Sequence, residues 1–212
     1  PSTPQLRLMF LGYNQLAADA VWLRVLSYFD AHFRGDRQYH WLEHFLEQII
    51  ELDPQFHAIY HWAGTNVLYG RRFTNENVEI SNRFYRLALD RQPDDYEAAY
   101  RLGMNYYVEM SSNKPEEKRR FQEIGLTYLE RAANTPGATK RLRHLVASIS
   151  RKLGKEQLAL QYLMDLYVQT DDEEKRASLA QRIAAMRENM TVGAFEQEAT
   201  RFRNDWKRHF AF

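Results

Sequence analysis

The chain contains no cysteine, so it has no disulfide, no thiolate metal ligand and no cysteine nucleophile. Glycine and proline are scarce, with 9 and 6 copies in 212 residues, and they fall between stretches of helical periodicity. An excess of one charge is also missing: 29 basic residues stand against 28 acidic ones, a net +1. That balance gives no global attraction to nucleic acid or to an acidic membrane surface. The most apolar stretch, residues 6–26, is interrupted by Arg7, Asp19 and Arg24, which a bilayer-spanning helix rarely tolerates. Sustained strand alternation is absent, as are a glycine-rich phosphate loop and a Gly-x-Ser-x-Gly elbow.

What is present is helical spacing. Leu42, Phe45, Leu46, Ile49 and Ile50 share one face of a helix, and Glu43, His44, Glu47, Gln48 and Glu51 share the other. A repeat follows. Pro54 and Pro93 are 39 residues apart, and so are Gly64 and Gly103; a third ending reads Ala132-Ala133-Asn134-Thr135-Pro136. A proline cannot continue one helix and suits the start of the next. A small residue lets the two helices of a hairpin approach closely.

These residues resemble the tetratricopeptide repeat family. Tyr60, Gly64, Ala88 and Pro93 match one unit, and Leu102, Gly103, Tyr106, Ala132 and Pro136 match the next. The family's period is about 34 residues. The longer intervals here place extra residues in the turns, expected at 70–78 and 110–119. The resemblance implies an all-α fold: a superhelical array of antiparallel helix hairpins with extra N- and C-terminal helices, read as one domain over 1–212. Within it, 1–35 hold the N-terminal helix or helices, 36–168 the hairpins and 173–210 the capping helices. A fourth hairpin is expected over 139–152 and 156–168, turning at Gly154. The last helix, from Thr191, carries Val192, Phe195, Ala199, Phe202 and Trp206 at steps of three and four.

The opening Ala18-Asp19-Ala20-Val21-Trp22-Leu23, ending in Tyr28-Phe29, is also similar to a group of bacterial membrane-tethered repeat proteins. That similarity implies a role at the cell envelope, with membrane association only through an anchor upstream of Pro1.

The sharpest chemical motif is His40-Trp41-Leu42-Glu43-His44, which fits the inverted zinc-hydrolase pattern His-x-x-Glu-His. A catalytic zinc needs a cleft and a third ligand from another element. The helical face set by Leu42 and Phe45 instead turns His40, Glu43 and His44 toward water. A second pair, His57 and His61, is offset from His40 and His44 by roughly 9 Å along the neighbouring helix, which argues against one shared site. Lys140, Arg141, Arg143, Arg151, Lys152 and Lys155, with Lys118-Arg119-Arg120, raise nucleic-acid binding as a third reading. A solvated helix face is the usual meaning of such runs.

The family resemblance implies a partner groove lined by the first helix of each hairpin. Its positions here are His61, Thr65 and Tyr69, then Glu97, Tyr100, Met104 and Tyr107, then Arg141, His144 and Arg151. The expectation is a non-catalytic scaffold that holds a protein or peptide segment with apolar and acidic residues. No metal, cofactor, nucleic acid or small-molecule substrate is expected.

Overall fold

The computed structural model describes residues 1–190. The chain is all-α: among the described residues there are helices and turns and no strand. It divides into two compact units, Pro1–Pro136 and the part from Gly137 onward. The expected helix from Thr191, with its apolar seam, lies outside the described residues.

The first unit holds α1 (Thr3–Met9), α2 (Asn14–Arg34), α3 (Leu42–Leu52), α4 (His57–Asn66), α5 (Asn75–Arg91), α6 (Tyr96–Met104) and α7 (Pro115–Asn134). A π-helical turn, Asn105–Glu109, continues α6. Consecutive helices pair: α2 with α3, α4 with α5, α6 with α7. In the α2–α3 and α6–α7 pairs the contacts run in opposite directions along the two helices. Arg24 lies over Phe45 while Tyr28 bonds the Trp41 backbone; Gly103 meets Leu129 while Tyr107 meets Gly125. The N-terminal segment forms two helices, and α1 packs against α3 as well as α2.

Local chemistry fixes the helix starts. Thr74 Oγ1 accepts the Asn77 N–H at 3.3 Å, and Asp95 Oδ1 accepts the Ala98 N–H at 3.0 Å. Each cap is worth about 0.5–2 kcal/mol. Pro115 opens α7, followed by Glu116 and Glu117 in its first turn, where acidic side chains suit the helix dipole.

The core is the apolar face of each helix. In α3, Leu42, Leu46 and Ile49 are fully buried, as expected, and each contributes about 1.5–3 kcal/mol by leaving water. Gln48 departs from the expected pattern. It is buried on the side read as polar, because α1 folds over it and the Pro1 carbonyl accepts its Nε2 at 2.9 Å.

The two glycine markers have the physical basis expected of them. A Cβ at Gly64 would lie 2.5 Å from the Tyr85 ring, and one at Gly103 would lie 2.7 Å from Leu129 Cγ. The extra residues of the long repeats sit partly where expected. The α4–α5 connection is long, but α5 already starts at Asn75. In the next pair, the π-helical turn takes up part of the excess and α7 starts at Pro115. A π-helix inserts one residue per turn without ending the helix.

The second unit holds α8 (Lys140–Lys152) and α9 (Glu156–Val168), which pair with each other, and a further helix over 173–190. Thr139 caps α8 and Gly154 makes the turn with φ +74°, a conformation L side chains rarely adopt. Both residues stand where the sequence places them.

Candidate functional site

The first unit carries a groove of about 530 Å³ between the α4–α5 and α6 elements. Thr65, Tyr69, Tyr100 and Met104 line it, four of the residues expected from sequence. Gly64, Ser81 and Tyr85 lie beneath, Phe73 stands exposed at one edge, and Arg71 and Arg101 flank it.

Hydrogen bonds hold the floor. The Tyr85 hydroxyl lies 3.0 Å from Thr65 Oγ1. Ser81 Oγ donates to the Gly64 carbonyl at 2.5 Å and accepts from Asn105 Nδ2 at 3.0 Å. Asn105 Nδ2 also reaches Asn82 Oδ1 at 2.9 Å. The π-helical turn starts at Asn105, so the bond network that joins α4, α5 and α6 ends where the helix widens. Buried polar networks of this kind are costly when broken, because the groups left behind are desolvated. Burial raises the Tyr85 phenol above its ordinary range, with the Thr65 contact acting in the opposite sense.

The two groove arginines are already paired. Arg71 reaches Glu43 at 2.6 Å, and Arg101 Nε donates to Glu97 at 2.9 Å. The Arg101–Glu97 pair is exposed and spaced i, i+4, a type worth about 0.3–0.5 kcal/mol, so a competing carboxylate can displace it at little cost.

The other expected groove positions make different contacts. His61 Nε2 lies 2.7 Å from Asp95 Oδ2, joining α4 to the cap of α6. Glu97 is the partner of Arg101, and Tyr107 packs its backbone against Gly125 of α7. Arg141, His144 and Arg151 belong to the second unit. There, His144 and Arg182 line a cavity of about 560 Å³, and Arg151 lines a smaller one of about 170 Å³. His144 is held below the usual imidazole range, first by burial and then by the nearby Arg182 charge. Arg141 is exposed.

Sequence reasoning missed Tyr85, Arg71, Phe73 and Arg101. Tyr85 is on the second helix of its hairpin and reads as core. Its hydroxyl reaches the groove because Gly64 has no side chain to block it.

The zinc-pattern residues are engaged separately. Glu43 bonds Arg71 and also lies 3.5 Å from Arg83, His40 Nε2 lies 3.0 Å from Gln38 Oε1, and His44 stands beside the Trp41 and Phe45 rings. Among the described residues, no three of histidine, aspartate or glutamate are grouped to hold a metal ion. Two basic residues of α8 make local bonds: Lys140 to the Gln169 carbonyl and Arg143 to the Gln169 side chain, at the end of α9. Among the described residues, no helix is long and apolar enough to cross a membrane. No family model and no curated protein matches the chain.

Proposed function

We propose that this chain is a non-catalytic scaffold of the tetratricopeptide-repeat type, a superhelical array of hairpins that holds a segment of a partner protein. The observation that supports it is the groove where Thr65, Tyr69, Tyr100 and Met104 meet over Tyr85. Aromatic rings give large contact area at low entropy cost, and methionine adapts to irregular surfaces. The matching segment carries apolar anchors for the rings and an acidic residue for Arg101, whose bond to Glu97 is weak enough to exchange. The similarity of the 18–29 opening supports a setting in a bacterial cell-envelope assembly.

A photo-reactive amino acid placed at Tyr69 or Tyr100 tests this in the native cell. Both positions should crosslink to the same discrete partner, and Arg120 on α7 should not. Charge introduced by Tyr69→Asp and Tyr100→Asp should remove the crosslinks at the neighbouring position. If both variants fold and retain the partner, the groove is not the binding site.

A further inference from the structure

Within the first unit, α2 carries exposed apolar side chains on the side turned away from its buried residues. Ala17, Ala18, Val21 and Val25 are buried on the inner side. On the outer side, Leu16 and Leu23 are 58% and 65% exposed, and Tyr13 is exposed at the helix start. Tyr13, Leu16, Ala20, Leu23 and Ser27 step by three and four, the spacing of a two-stranded helical seam. Leu8 and Met9 of α1 and Leu11 in the turn before α2 are exposed as well, Leu11 being 84% exposed. Contiguous exposed apolar strips mark contact surfaces.

Two charges flank this seam. With Leu16 and Leu23 at one core position of the heptad and Ala20 at the other, Asp19 falls at the outer position on one side. Arg24 falls at the outer position on the other side, five residues later. These are the two positions that bridge between helices of a parallel pair. Asp19 has no ion-pair or hydrogen-bond partner among the described residues, and Arg24 lies 4.9 Å from the centre of the Phe45 ring with no carboxylate partner. Further along, Asp30 is already paired with Arg34 at 3.1 Å, where the apolar seam ends.

We propose that α2 is a self-association surface, pairing in parallel with α2 of a second copy about a two-fold axis along the seam. Asp19 of each copy then meets Arg24 of the other, so one helix supplies both halves of two identical bridges. A lipid surface fits less well, because interfacial helices flank their apolar face with cations, and here one acid and one base flank it. A seam confined to one helix makes a small interface, so the dimer should depend on concentration.

Sedimentation velocity of the full chain over a concentration series tests this. The expected result is a monomer–dimer equilibrium that Leu16→Asp with Leu23→Asp reduces to monomer. Asp19→Arg alone, and Arg24→Asp alone, should each weaken association by about tenfold. Mixing these two single variants should restore it, because each supplies the charge the other lacks. Asp19→Lys, which leaves the Phe45 contact untouched, gives the same weakening if Arg24→Asp disturbs the fold. A chain that stays monomeric at every concentration overturns the proposal. So does a dimer that survives Leu16→Asp with Leu23→Asp, a charge swap that mixing fails to rescue, or flotation of the monomer on phosphatidylcholine vesicles.

Discussion

Tyr85 lies directly against Gly64: its ring occupies the space where any other residue would carry a side chain, and a Cβ there would come within 2.5 Å of ring carbon Cζ. The pair closes the α4–α5 hairpin and forms the groove floor in the same contact. Gly64→Ala should therefore destabilise the protein by about 1–3 kcal/mol, the range for overpacking a filled core. Replacing Tyr85 with leucine in the same chain should recover part of that loss. Urea denaturation of the single and double variants measures the coupling, and strict additivity would show that the contact is not tight.

Asp95 serves two partners at once, capping α6 through Ala98 and bonding His61 of α4. Asp95→Ala should cost about 1–2 kcal/mol from the cap, with a further loss from the stranded imidazole. Thr74→Ala removes a cap alone and should cost less. Thermal melts of the two variants rank them, and equal losses would mean that the His61 bond contributes nothing.

Asn105 links Ser81 and Asn82, both fully buried. Asn105→Leu keeps much of the volume but leaves the Asn82 side-chain oxygen without this donor. A loss of about 1–3 kcal/mol is expected, the desolvation cost of an unsatisfied group. Amide hydrogen exchange should show faster opening in α5 and in the π-helical turn together; faster exchange in the turn alone would contradict a shared network.

His144 gives a pH dependence of definite sign. Burial and Arg182 lower its folded-state value below the ordinary 6.5, so the unfolded chain binds the proton more readily. The stability tied to neutral His144 is present above pH 6.5 and is lost as pH falls through the lowered value. His144→Gln should flatten the melting temperature across that acidic window. An unchanged pH profile in the variant would assign the effect to other groups.

The features legible in the sequence were those set by neighbours along the chain. Thr139 and Gly154 mark the ends of α8 because capping and positive φ are local demands. Gly64 and Gly103 are legible because each is spaced by the repeat. Gln48 was not, because its burial depends on α1 returning over α3 from 47 residues away. Nor was the direction of His61, which is decided by Asp95 in the following hairpin. The π-helical turn has no local signature; it accommodates Asn105 in a network reaching back to Gly64. Of the groove, the lining was expected from the family resemblance, whereas its floor depends on contacts across the hairpin.

That floor has a consequence for selectivity. The Gly64 carbonyl, the Ser81 hydroxyl and the Asn105 amide are already bonded to one another. A polar side chain pressed onto them would give up its water and find no equivalent bond, a loss of about 1–3 kcal/mol. On the proposed reading, the groove would sort its visitors by rejection, turning away segments whose central residue is polar and leaving the rim to decide among those that remain.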